Sequence, residues 1–590
     1  MKRIYNIAVA SLCIAVSQAA YSQNLDPTVE VSRAYVAKHI DAEKPVIEMA
    51  VPDSVLKFDL DFDYAVTDNP YKGSYEFKPY SLDMKPQSSS GRNTVLFFRA
   101  GAGYTLHPTL DFVVTPPFRK GTPFSMSIYG THRSYFGRYR AVSFEDRRLG
   151  WDGKSRYSGY DTYTSAGVNA RTDWRTGYFT FDLGYLGYAG KDTLRTRNFD
   201  AFRADVRVAS NNPAHKYFFY DVNLSYFYGE DKIRSGAASY LTEHDFSAKA
   251  SLGPVFSDTQ RALLDIGLDV SDYGAMFSSY SGMFSLAPHY ILHKSRWYLD
   301  LGVKISMLIG SDRSEEKTAL HSKRGQIFYP DVEIGFDAVR NYLNIYIKAE
   351  GGDNINRYSD RLASDRHFSP LYALGGNVLM NNSVERIKAS LGFKGNIASR
   401  LVYDLRGGYA NYSNMMFGSI TYVVPGQAPE WMSGQSGNVL SGWMPSVGYA
   451  SCNYYFAALD LGWKSQDLSV DAVFECNGTD LRSRKAAVFA PSPFTADIDV
   501  VYNWKKRVFV GLHCNAALAR NGLVRPSSDA ELESVRLPGY ADLGLSAEYR
   551  FNRKASFWIY GGNLLNMTLQ RVPLYTESGI SFTAGITLSL

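Results

Sequence analysis

Along most of this chain apolar and polar residues alternate one by one. Between Arg296 and Met307, the side chains of Trp297, Leu299, Leu301, Val303, Ile305 and Met307 fall on one face. Tyr298, Asp300, Lys304 and Ser306 fall on the other. The last segment repeats the pattern, with Ile580, Phe582, Ala584, Ile586, Leu588 and Leu590 set against Ser581, Thr583, Thr587 and Ser589. A period of two is strand geometry, and a uniformly apolar face demands an apolar neighbour. The segments run to about 10–13 residues, longer than the usual strand of a soluble sheet and suited to a tilted strand crossing a membrane. Twenty-two are predicted, near 95–106, 109–117, 122–136, 160–174, 176–190, 198–210, 217–229, 242–254, 261–273, 279–291, 296–308, 325–337, 342–352, 384–396, 400–413, 451–463, 468–477, 493–504, 507–519, 539–550, 555–563 and 578–590.

The connections separate this reading from a two-sheet sandwich. Tight links (Arg175, Ser257–Gln260, Ala338–Asn341, Lys464–Asp467, Lys505–Lys506, Phe551–Lys554) alternate with generous ones (137–159, 230–241, 309–324, 353–383, 414–450, 478–492, 520–538, 564–577). Short turns at one end and long loops at the other mark an outer-membrane barrel. Closure follows from backbone physics, because each unpaired N–H or C=O in hydrocarbon costs several kcal/mol. The expected fold is therefore all-β, a transmembrane antiparallel barrel of about 22 strands. The stretch 414–450 is long enough to hide a further hairpin.

The N-terminus supplies the route. Lys2 and Arg3 precede an apolar run from Ile7 to Val16, and Ala20 and Ser22 offer small residues before Gln23. This reads as a signal peptide over 1–22. Residues 23–93 then form an N-terminal extension, and 94–590 the barrel. Composition agrees: aromatics reach 14% with 43 Tyr, while charged residues are only 21%, which disfavours disorder. A net charge of +5 over 590 residues is too weak to imply nucleic acid. Beyond residue 22 the cysteines are Cys452, Cys476 and Cys514, read as separate apolar side chains and not as a disulfide framework.

At the C-terminal end the residues carry a resemblance. Tyr540-Ala-Asp-Leu-Gly-Leu-Ser-Ala-Glu-Tyr-Arg-Phe-Asn552 leads into Ile559-Tyr-Gly-Gly-Asn-Leu-Leu-Asn566, and Asn563-Leu564-Leu565-Asn566 is similar to the N-L-x-N element preceding the last strand of TonB-dependent outer-membrane receptors. The family's strand count is also 22. The resemblance implies a receptor barrel in the outer membrane, coupled to uptake, with a folded plug ahead of it. The segment before the first strand is shorter than an ordinary domain of about 100–150 residues. It also lacks the glycine-bearing motifs of a plug. A plugless relative is expected, with residues 23–93 sealing the periplasmic side.

Candidate chemistry is thin. Asp59, Asp61 and Asp63 have calcium-loop spacing, but Tyr64 and Pro70 stand where such a loop needs Gly and Glu. Lumen-facing acids (Asp182, Asp265, Asp269, Asp300, Glu350, Asp471, Glu475, Asp542, Glu548) and bases (Lys249, Lys304, Lys348, Lys388, Lys394, Arg550) mix both signs, which points to ion pairing between strands and not to a selective ring. His513 and Cys514 are adjacent, so they face opposite ways and do not chelate one ion together. No nucleophilic constellation is found, and no catalytic, cofactor or metal residue is assigned. The long loops offer Trp151, Trp431 and Trp443 as contact residues. The expected partners are outer-membrane lipid and envelope proteins, with no nucleic acid. The leading expectation is a non-enzymatic accessory barrel of an envelope complex. The alternative is a transport protein, either a plugless pore or a receptor taking up a nutrient such as a glycan or metal chelate.

Overall fold

The computed structural model describes residues 95–590 apart from 105–106, 119–121, 146, 192–195, 212–217, 234–239, 276–278, 313–326, 341, 369, 371–378, 398–399, 424–441, 482–486 and 526–530. The expected signal peptide, the 23–93 extension with its three aspartates, and Trp431 lie outside the described residues.

The strands are β1 (Leu96–Gly103), β2 (Thr109–Val114), β3 (Phe124–Glu145), β4 (Arg148–Trp174), β5 (Gly177–Lys191), β6 (Thr196–Ser210), β7 (Phe218–Ile233), β8 (Tyr240–Ser257), β9 (Gln260–Ala275), β10 (Ser279–Lys294), β11 (Trp297–Asp312), β12 (Phe328–Val339), β13 (Leu343–Asn354), β14 (Ser383–Ile397), β15 (Leu401–Val423), β16 (Gly442–Lys464), β17 (Leu468–Leu481), β18 (Phe494–Trp504), β19 (Val508–Ala517), β20 (Arg520–Val524), β21 (Glu533–Leu537), β22 (Tyr540–Arg550), β23 (Ala555–Gly562) and β24 (Ser581–Ser589). Neighbours pair antiparallel in chain order up to β19, which then pairs with β22. β24 returns to β1 with Phe97 opposite Ser589 and Gly103 opposite Thr583. The result is a closed cylinder of 22 strands. β20 and β21 form a separate hairpin at the end that carries the long connections. The 22 predicted segments correspond one for one to the 22 wall strands.

Two expectations about the connections are corrected. Residues 137–159 are not a loop: β3 and β4 continue as a paired ribbon to Glu145 and Arg148. β15 and β16 likewise run on past the wall to Val423 and from Gly442. Pairing satisfies backbone groups in water as it does in lipid. Stacked rings tie the first ribbon, Tyr139 on Tyr157 at 5.4 Å and Phe136 on Tyr160 at 5.6 Å.

The outer face is apolar by alternation. Met307 is 55% exposed while its neighbour Ser306 is 2%. Near the short turns lie Phe124, Trp174, Phe218, Phe256, Trp297, Trp463, Trp504 and Phe551, all exposed. Eight residues above Phe218 comes Tyr226, and eight above Trp463 comes Tyr455. At about 3.3 Å per residue and a tilt near 40°, eight residues span about 20 Å, the separation of two aromatic girdles around an apolar band. This is an outer-membrane protein, held in lipid by its strands.

The seam depends on glycine. Gly101 of β1 lies opposite Gly585 of β24, and the Trp558 ring from β23 packs over both. A Cβ on Gly585 would sit 2.1 Å from the Ala100 carbonyl oxygen and 2.6 Å from Trp558.

Candidate ligand chamber in the lumen

The connection from β13 to β14 turns inward instead of standing above the barrel. Its helix α1 (Tyr358–Ser364) has no side-chain cap of its own. A helix start leaves backbone N–H groups without partners, and the barrel wall supplies one. Tyr358 and Ser359 donate their N–H groups to the two oxygens of Glu243 on β8, each at 2.9 Å. Tyr273 donates its hydroxyl to the same carboxylate at 3.2 Å. Arg357 reaches Asp269 at 3.1 Å and Asp245 at 3.7 Å. The Tyr358 hydroxyl donates to Asp231, which Arg197 also pairs at 3.3 Å. Arg197 goes on to donate to the carbonyls of Arg366, at 2.7 Å, and Phe368.

Beneath these polar bolts Tyr358, Leu362 and Phe368 are fully buried among Phe199, Leu241 and Tyr273. Burying three such side chains is worth about 1.5–3 kcal/mol each. The helix with its flanks is therefore a strap fixed to the β6–β9 wall.

A second connection, between β23 and β24, meets the strap from the other side. Asn563 and Asn566 of the N-L-x-N element have φ of 47° and 53°, left-handed values that asparagine tolerates better than most residues. The Asn563 side chain closes the turn, accepting from the Met567 N–H at 3.0 Å and donating to the Met567 and Ser578 carbonyls. Arg140 of β3 donates to the Asn566 carbonyl and, at 2.6 Å, to its side chain. The motif is thus a turn clamp that joins the last connection to the β3–β4 ribbon. Further along, Arg571 pairs with Asp542 at 3.1 Å and Glu577 at 3.2 Å. The two connections touch where His367 stacks flat on Tyr575, centroids 4.3 Å apart. Arg366 pairs with Asp161 at 2.5 Å. Burial works against the Arg366 charge, yet Asp161 and Glu577 outweigh it and raise its pKa. Burial also pushes the Glu577 carboxyl above the usual carboxylate range, against the pull of Arg571 and with the repulsion of Asp542.

Between these connections and the wall of β1–β3, β19 and β22–β24 lies a chamber of about 800 Å³. Tyr135, Tyr139, Trp558, Tyr560 and Tyr575 line it together with Arg99, Arg133 and Arg571. Arg99 lies 4.4 Å over the Trp558 ring. On the other side of the strap is a second chamber of about 770 Å³, whose charges are largely matched. There His289 sits 2.9 Å from Asp300 and 3.3 Å from Asp265. Of the ion pairing expected between strands, Lys388 of β14 holds Glu350 of β13 at 3.1 Å, whereas Lys348 with Glu350 at 2.7 Å and Arg550 with Glu548 at 3.6 Å pair within a strand.

The loop tryptophans fall elsewhere. Trp443 packs edge-on against Phe144 at 5.1 Å, beside a small apolar core of Leu149, Ile420, Phe489, Val524, Val535 and Leu537 that ties the protruding hairpins together. Trp151 lies between Arg140 at 4.6 Å and Arg156 at 5.6 Å and donates its indole N–H to the Ser155 carbonyl at 2.7 Å. Neither tryptophan lines the chamber. The strap residues and Trp558 escaped the sequence reading, although Trp558 occupies a lumen-facing position of a predicted strand.

No protein-family model matches the sequence, and neither does any curated protein. Solved structures do. The FrpB iron transporter from Neisseria meningitidis, in its apoprotein form, superposes with a TM-score of 0.60 at 8% identity, covering 85% of this chain and 81% of that one. The copper transporter OprC gives 0.59 at 11%, covering 84% and 80%. The ferric enterobactin receptor PfeA from Pseudomonas aeruginosa gives 0.58 at 11%, covering 85% and 81%. This chain has the fold of a TonB-dependent receptor barrel. At such identities the likeness extends to the fold and stops there. Within that TonB-dependent receptor fold, the strap and the N-L-x-N turn position the chamber.

Proposed function

We propose that this barrel is a non-enzymatic uptake receptor that captures a polar, ring-bearing solute such as a glycan or metal chelate in the chamber beside its strap. The observation that carries this reading is the chamber itself. Its volume suits a small-molecule site, and its aromatic faces stand beside guanidinium groups. Aromatic planes with fixed donors recognise sugar rings and chelate rims, and the surrounding ion pairs hold the donors in place. The transport reading thereby overtakes that of an accessory barrel docking envelope proteins through its loops. That alternative has the loops and residues 23–93 dock onto partners, and of the loop tryptophans Trp443 packs against Phe144. Residues 23–93 are proposed to seal the periplasmic side.

The test is calorimetric titration of the full chain in detergent with maltodextrins and with ferric citrate as probes. Saturable binding of either is expected, weakened at least tenfold by Trp558→Ala or Tyr575→Ala. Absence of binding by both probes, or binding unaffected by either substitution, rejects the chamber as the capture site. Recovery of a stoichiometric envelope protein cross-linked to the loops in intact cells would restore the accessory reading.

A further inference from the structure

The stretch of lumen wall built by β17, β18 and β19 carries a group of side chains whose charges do not balance. Register sets Asp471 opposite Asp499, Asp499 opposite His513, and Asp497 opposite Asn515. The His513 ring nitrogen Nδ1 lies 2.7 Å from the Asp499 carboxylate and 4.0 Å from that of Asp497. Asn515 donates to the second oxygen of Asp497 at 2.8 Å, which fixes that carboxylate. One oxygen from each aspartate and one imidazole nitrogen all lie within 4.8 Å of one another.

Several acids elsewhere on the wall meet guanidinium or ammonium groups: Asp221 with Arg207 at 2.6 Å, Asp460 with Arg406 at 2.5 Å, Glu350 with two lysines; Asp265 and Asp300, like the present pair, flank one imidazole, that of His289. Among the described residues, the ion partner of both Asp497 and Asp499 is the single imidazole of His513. The trio therefore holds a net charge of −1 with that ring protonated and −2 with it neutral. All three residues are half-buried, and His513 lines the larger lumen chamber. Charge left unbalanced away from bulk water is costly unless something pairs with it.

We propose that Asp497, Asp499 and His513 form a binding site for a divalent first-row transition cation on the wall of this lumen chamber. A tetrahedral ion with bonds near 2.1 Å wants its ligand atoms about 3.4 Å apart. The observed 2.7 and 4.0 Å bracket that figure, so small side-chain rotations complete the set. An imidazole with two carboxylates suits Zn²⁺, Ni²⁺ or Cu²⁺ better than Ca²⁺ or Mg²⁺, which take oxygen alone. Coordination takes a neutral imidazole and ionised carboxylates, so binding competes with protons, and it leaves further positions for water or a chamber ligand. Asn515 acts as a positioning residue for Asp497. The site does not depend on which solute the chamber captures.

The experiment uses full-length protein without a polyhistidine tag, stripped with EDTA and titrated with Cu²⁺ in detergent. Electron paramagnetic resonance should show one tightly held equivalent with hyperfine coupling to a single imidazole nitrogen. That coupling should vanish in His513→Gln, and Asp499→Asn should weaken binding at least tenfold, the loss typical when a ligand set is disturbed. Heat-modifiable gel migration confirms that each variant is folded. If a variant fails to fold, the wild-type spectrum decides by itself. Wild-type protein that lacks the nitrogen coupling, or that titrates like His513→Gln, overturns the site.

Discussion

Single residues decide where this wall can close. Gly585 and Gly101 face each other across the seam because the Trp558 ring and the opposing backbone leave no room for a Cβ. Gly585→Val should therefore cost about 1–3 kcal/mol through overpacking. Urea unfolding in lipid vesicles reads that cost as an earlier midpoint. Gly150→Ala, where a Cβ would meet nothing within 4 Å, should leave the midpoint unchanged. Alternation placed Gly101 within the strand predicted near 95–106, but it could not name the ring that crowds it. The same limit applies to His513. Its face was legible from alternation, whereas its partners Asp497 and Asp499 sit on a neighbouring strand and become visible only once register is known.

At the scale of elements, alternation and turn length located all 22 wall strands because lipid imposes one rule on every one of them. That rule lapses above the membrane. The β3–β4 and β15–β16 ribbons and the β20–β21 hairpin are held by ring stacking and a small apolar core among loops, and no period in the sequence announces either. Strap α1 escaped for a related reason: its seven residues have a helix start capped by Glu243, which lies more than a hundred positions away. The connection carrying Arg571 and Glu577 adds a pH response. Because the folded pKa of Glu577 is raised, its protonated form favours the folded-in connection. The associated cost is fully present above that pKa and fades as pH falls towards the ordinary carboxylate value. Limited proteolysis of residues 563–580 should thus be faster in wild type than in Glu577→Gln at pH 7.5, and the two rates should converge towards pH 5. A ratio constant across that range would contradict the assignment.

For the whole molecule, 22 strands enclose a lumen wide enough to leak, since barrels of 16–18 strands already hold aqueous channels. The structure answers with a strap bolted to one wall by Glu243, Arg357 and Tyr358, which divides the described lumen into two chambers. On the proposed uptake reading, such a partition holds a solute in place and blocks free passage of water. Single-channel recording in planar bilayers tests this most directly. The full chain should show no large stable openings. Replacing Glu243, Arg357 and Tyr358 with alanine, together with deletion of residues 23–90, should release steps of porin size or greater. Large stable openings in the unaltered chain, or silence after both changes, would contradict the account.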